Sequence, residues 1–109
     1  MSKLEKVEKY IAKGNEAKLL KFINDKELPV RLAVIEGLGK IGQDDGFNNL
    51  IMLLTDADPA IRAASAQALG VLKNEHAKAH LAHRLELEKD ETVLQAIKGA
   101  IAELHKVGE

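Results

Sequence analysis

The stretch from Asp56 to Lys73 limits what this chain can fold into: Asp-Ala-Asp-Pro-Ala-Ile-Arg-Ala-Ala-Ser-Ala-Gln-Ala-Leu-Gly-Val-Leu-Lys. An acid followed by proline opens a helix, because the carboxylate takes a free backbone N–H and proline lacks only one that the helix does not use. The segment beyond the proline has almost no bulk. Ala60, Ala63, Ala64, Ala66 and Ala68 leave the helix bare on three sides, whereas a helix with one core-facing stripe carries charge over the rest. Such a helix needs close neighbours on several sides, and the simplest neighbours are copies of itself. Shifting back 31 positions lays Val30, Arg31, Ala33, Leu38 and Gly39 under Ile61, Arg62, Ala64, Leu69 and Gly70. Shifting forward 32 lays Val93, Ala96, Ala100, Ile101 and Leu104 over Ile61, Ala64, Ala68, Leu69 and Leu72.

Between these copies, called A helices, the chain reads as a second, B type. Residues 3–13 place Leu4, Val7, Tyr10 and Ile11 on one face, with Lys3, Glu5, Lys6, Glu8, Lys9 and Lys13 over the rest. Gly14-Asn15 ends that helix and caps the next, whose apolar positions are Leu19, Leu20, Phe22 and Ile23. Pro29 falls in the first turn of a third helix at about 28–41. Gly42 and Asp44-Asp45-Gly46 predict a turn before a stripe of Phe47, Leu50, Ile51 and Leu54. Asn74 is expected to cap a sixth helix (Ala77, Leu81, Leu85) and Asp90 a seventh (Val93, Leu94, Ile97, Ile101, Leu104). Leu19, Leu50 and Leu81 share a register, as do Ile23, Leu54 and Leu85.

The prediction is an all-α protein, a short α-α superhelix of about seven antiparallel helices in one domain over 1–109. Its repeats run about 2–27, 28–57 and 58–89, with a terminal helix at 90–107. Gly39 and Gly70 should let successive layers approach, at about 1 kcal/mol each against alanine. Glu8 holds that register in the first helix, where no preceding layer has to approach. The lysine-rich first helix reads as a solvated N-terminal cap. A basic patch for an acidic partner is the weaker reading, because Glu5 and Glu8 dilute it.

The same residues exclude several classes of function. Without cysteine there is neither a disulfide framework nor a thiolate site. A formal net charge of −1 leaves no footprint for a nucleic acid backbone. No stretch approaches the roughly 20 apolar residues of a membrane span, and the N-terminus has no apolar run of a signal peptide. A cytoplasmic protein is expected. Gly37 to Gly42 superficially suggests a nucleotide loop, but it sits at a helix C-terminus with no strand before it. His76, His80 and His83 fall on one helical face, opposite Leu81 and Leu85. His76 with His80, or His80 with His83, has the spacing for two imidazoles on one metal ion, yet no carboxylate stands ready to orient them. They read as exposed polar residues, and neither a metal nor another cofactor is expected.

Two helices per 31 residues, with Asp-Pro-x-Ile-Arg opening one and Ala-Leu-Gly closing it, resemble the HEAT repeat. The similarity is greatest to the short variety found in phycobilisome-lyase-like proteins and in deoxyhypusine hydroxylase. The resemblance implies a hydrogen-bonded ladder between layers through Asp25, Arg31, Asp56 and Arg62, with Glu88 in the acid place of the last copy and Leu94 where its arginine would be. It does not carry the hydroxylase activity over, since that enzyme's His-Glu ligand pairs are absent and only the reversed Glu75-His76 occurs. It implies a protein-binding scaffold or adaptor whose B helices line a concave surface, with another protein or a peptide as partner. On that surface Lys18, Asn49 and His80 form one column and Lys21, Met52 and His83 the next, residues that adapt to varied contacts. Met52 tucked against a neighbouring helix is the alternative to an exposed contact. The alternative function is a subunit of a lyase-like or metal-dependent enzyme. Leu94 and Val107, if exposed on a last helix lacking a B partner, predict a monomer that associates weakly end to end.

Overall fold

The computed structural model describes residues 1–107, the backbone alone at Val107. Among these residues the chain is all-α and contains no strand. Its helices are α1 (Lys3–Ala12), α2 (Glu16–Leu20), α3 (Leu28–Ile41), α4 (Asp44–Leu53), α5 (Pro59–Leu72), α6 (Ala77–Leu87) and α7 (Glu91–Val107).

The starts of the helices follow from local chemistry. Ser2 and Glu5 form a reciprocal capping box on α1. Asn15 Oδ1 accepts from the Lys18 N–H at 3.2 Å, and Asp58 Oδ1 from the Ala60 N–H at 2.8 Å. Asp90 Oδ1 takes the Val93 N–H at 3.0 Å. Two expectations shift. Asp44, Asp45 and Gly46 belong to the first turn of α4 rather than to a turn before it, where carboxylates suit the positive end of the helix dipole. Gly46 is buried there, donating its N–H to Glu16 Oε2 at 3.0 Å, and an added Cβ would meet that oxygen at 2.7 Å. Asn74 caps too, but one turn early: it accepts from the His76 N–H at 2.9 Å, and helix proper begins at Ala77.

The helices stack in two rows. The A row, α1–α3–α5–α7, packs helix on helix throughout, and the B row of α2, α4 and α6 covers one side of it. The molecule measures 41 × 29 × 17 Å, its least dimension being that of two helices at the usual 8–10 Å spacing. The core repeats with the sequence. Leu19, Leu50 and Leu81 are all fully buried, as are Ile61 and Val93, with Val30 nearly so. Between the A helices the small residues do the work expected of them. A Cβ on Gly39 would sit 2.9 Å from the Ala68 carbonyl oxygen and 3.1 Å from its Cα; one on Gly70 would sit 3.1 Å from the Ala100 Cα. Each glycine thus faces the layer that comes after it. Between α1 and α3 the relation reverses, because the Ile11 side chain fills the space over Gly37.

The C-terminal end differs from expectation. α6 packs against α7, so the last A helix does have a B partner. Ile35 and Ala66 are buried against the next layer, but the third copy of that position is the exposed Lys98; Gly39 and Gly70 are likewise followed by the exposed Ala102. Leu94 is half-buried, and the Val107 side chain lies outside the described residues.

Candidate interaction surface

The turns that set one layer on the next are held by a ladder of charged groups. Asp25 Oδ2 accepts from the Glu27 N–H, Asp56 Oδ2 from the Asp58 N–H and Glu88 Oε2 from the Asp90 N–H, each at 3.0 Å. Each acid therefore closes its own turn and offers a second oxygen to the preceding layer. Arg31 Nη2 reaches Asp56 Oδ1 at 3.3 Å while its Nε donates to the Ile23 carbonyl at 2.7 Å. Arg62 grips Glu88 with two nitrogens, Nε to Oε1 at 2.8 Å and Nη2 to Oε2 at 3.1 Å, and its Nη1 donates to the Asp56 carbonyl at 2.8 Å. This fork-on-carboxylate geometry suits arginine and not lysine.

Arg62 and the turn N–H groups hold the Glu88 carboxyl down at a pKa of about 2, against the opposing pull of burial. Arg84 Nε lies 3.5 Å from Glu88 Oε1, too far for a hydrogen bond, and finds no other partner among the described residues. The ladder also has a rung that the repeat could not show. Lys3 Nζ lies 3.3 Å from Asp25 Oδ1 and 3.3 Å from Glu27 Oε2. The cation of this rung is a lysine from outside the 31-residue register.

This frame leaves two candidate faces. On the B side Lys18, Lys21, His80 and His83 are exposed, and Met52 is 71% exposed, not tucked against a helix. Asn49 is half-buried and donates to the Asp45 carbonyl at 2.9 Å. His80 and His83 border a cavity of about 110 Å³ with Ile51, Leu54 and Leu87. His76 is exposed as well, and no group of three or more His, Cys, Asp or Glu residues that could hold a metal ion occurs among the described residues.

The two rows are not equally closed. The A row is pinched together at Gly39–Ala68 and Gly70–Ala100, whereas α4 and α6 scarcely touch. A stack closed along one row and open along the other curves towards the closed row. The small residues of the A row are the cause of its close packing. On that row three shallow grooves succeed one another. One of about 330 Å³ lies between α1 and α3, bordered by Glu8, Ala12, Ala33 and Glu36. One of about 440 Å³ lies between α3 and α5, with Leu32, Ala64, Ala68 and the 61% exposed Val71. The last, about 470 Å³, lies between α5 and α7, with Gln67, Gln95 and Gly99. Their lining residues recur at the repeat, Ala33 with Ala64 and Glu36 with Gln67. Sequence reasoning passed over them because alanine on a helix reads first as core.

No described helix is long and apolar enough to cross a membrane. A family model described as HEAT repeats matches residues 16–102, most of the chain. No curated protein matches it.

Proposed function

Because this chain belongs to the HEAT repeat family, we propose that it is a protein-binding scaffold that holds a partner protein or peptide along the inner face of its A row. The observation that carries this reading is the run of three aligned grooves between successive long helices. Small residues floor them, so a partner's side chains can enter without displacing any of this chain's own. The exposed rim mixes Glu36, Lys40, Gln67 and Val71, the blend of apolar centre and polar edge found in non-obligate interfaces.

On this reading the chain catalyses nothing itself. The groups whose acidity shifts, Lys3, Asp25, Arg62, Glu88 and Glu103, are all engaged in ion pairs; a catalytic pocket would put such groups in a cleft facing substrate. The 31-residue spacing of Asp25–Arg31 and Asp56–Arg62 supports placing it with the short, lyase-like variety of repeat. A cytoplasmic location belongs to the same proposal.

One observation favours a second reading, with the B columns Lys18–Asn49–His80 and Lys21–Met52–His83 as the contact surface: the exposure of Met52, a large apolar side chain with no core role. Parallel affinity capture from the native cell with wild type, Val71→Glu and Met52→Glu separates the two. The A-row reading predicts one partner retained by wild type and Met52→Glu and lost by Val71→Glu. The opposite pattern assigns the B side, and retention by both variants rejects both surfaces.

A further inference from the structure

The outward face of α1 and its C-cap is rich in lysine. Lys6, Lys9 and Lys13 stand at i, i+3 and i+7, on the side away from the buried Val7. All three are exposed. The two glutamates that dilute this helix in the sequence lie at the edges of that face, Glu5 one turn before Lys9, and each has another place. Glu5 Oε1 accepts from the Ser2 N–H at 3.2 Å in the capping box, and Glu8 borders the groove between α1 and α3. Lys18 joins at the edge, its Nζ 5.4 Å from the centroid of the Tyr10 ring. The lysines that find carboxylates are Lys3, Lys40, Lys78 and Lys106. Lys6, Lys9, Lys13 and Lys18 have none within ion-pair distance among the described residues.

A stack needs a polar end, not an end of one sign. The other end shows the difference, since the exposed positions of α7 mix Glu91, Gln95, Lys98 and Ala102. The asymmetry runs through the whole chain: residues 1–26 carry a net charge of +3 and residues 27–109 a net −4. Lys6 with Lys9, and Lys9 with Lys13, place like charges one turn apart, an arrangement that costs a helix stability.

We propose that the lysine face of α1 docks an acidic polypeptide segment of a partner protein. Charge complementarity selects an anion, and the residue types select which one. Phosphate-rich partners are gripped best by arginine forks, but Arg31, Arg62 and Arg84 all face Asp56 or Glu88. The lysine stripe spans only about 10 Å at 1.5 Å per residue, a short track for a nucleic acid. A membrane surface would call for apolar side chains on the same face to enter it, and Lys6, Lys9 and Lys13 have none between them. Flexible ammonium groups acting as point charges suit the scattered carboxylates of an extended Glu/Asp-rich segment. This surface lies apart from the A-row grooves, so its test stands whether or not the groove reading survives.

The probe is a synthetic peptide of alternating Glu and Ser, about a dozen residues long, titrated into the full chain and followed by amide NMR. Shifts should concentrate at residues 6–13 and at Lys18, and affinity should fall severalfold from low to physiological salt. Lys6→Glu/Lys9→Glu/Lys13→Glu should weaken binding by at least roughly tenfold, about 1.4 kcal/mol. The triple Gln variant, which removes charge without adding repulsion, should weaken it severalfold and carries the test if the Glu variant fails to fold. Three results would overturn the proposal: no shifts at millimolar peptide, shifts indifferent to the Gln variant, or tighter binding to single-stranded DNA of equal charge or to phosphatidylserine vesicles than to the peptide.

Discussion

Arg62 donates from two nitrogens to both carboxylate oxygens of Glu88, a residue 26 positions later in the sequence and one layer later in the stack. The same arginine bonds the Asp56 carbonyl behind it, so one side chain ties two consecutive turns together. Glu88 in turn accepts the Lys89 and Asp90 N–H groups at the start of α7. Breaking the pair therefore loosens the entry to the last helix as well as the contact between layers.

The pairing makes stability depend on pH in a defined window. The folded Glu88 carboxyl titrates at about 2, below its ordinary value of 4.5. A depressed folded pKa contributes stability that is complete above the unfolded value and lost as pH falls through the folded one. The loss thus falls between about pH 4.5 and 2. Its size is on the order of 1–2 kcal/mol, after allowing for solvent screening at an edge of the stack. Urea midpoints of wild type and Glu88→Gln across this range should differ at neutral pH and converge towards the acid end. A gap that stays constant would remove Glu88 as the cause.

Glycine matters in this fold only where layers touch. Gly39→Ala places a Cβ against the backbone of Ala68, and forcing the layers apart should cost about 1–3 kcal/mol net of the gain in helix propensity. Gly99→Ala meets nothing within 4 Å on α7 and should stabilise by roughly 1 kcal/mol. Thermal unfolding of the two variants checks both signs. A Gly39→Ala protein as stable as wild type would mean that the A row is not closely packed.

Lys73 ends α5 in the left-handed conformation, φ 59°, at the register where Gly42 ends α3 with φ 71°. A side chain there costs on the order of 1 kcal/mol that glycine avoids. Lys73→Gly should accordingly raise stability by roughly 0.5–1 kcal/mol, read as a higher denaturant midpoint with an unchanged slope. An unchanged or lowered midpoint contradicts this.

The period of the sequence revealed most of the fold, because every layer is built by the same contacts. Leu19, Leu50 and Leu81 were legible as one core column, and Gly39 and Gly70 as points of close approach, since each repeats a local chemistry. What escaped lies where the period fails. Lys3 completes the ladder from outside the register, and Glu16 is buried against the Gly46 N–H of the next layer with no counterpart elsewhere. Ser65 sits fully buried without a hydrogen-bond partner, where Val34 and Ile97 occupy the equivalent places; nothing in the structure explains its hydroxyl. The grooves of the A row were hidden for a different reason. Which row lies inside depends on how closely helices approach, and alanine spacing alone does not say towards which side a stack bends.

Charged pairs between layers, and not surface charge in general, hold this array in register. A double-mutant cycle on Arg62 and Glu88, with Lys13→Ala as the exposed reference, measures this most directly. Arg62→Ala should destabilise by about 2–4 kcal/mol, because it strips Glu88 of its hydrogen-bonded arginine and leaves only Arg84 at 3.5 Å, while Lys13→Ala stays within about 0.5 kcal/mol of wild type. Adding Glu88→Gln to Arg62→Ala should recover at least about 1 kcal/mol relative to the sum of the single changes. Equal midpoints for Arg62→Ala and Lys13→Ala, or single changes that simply add, would contradict the account.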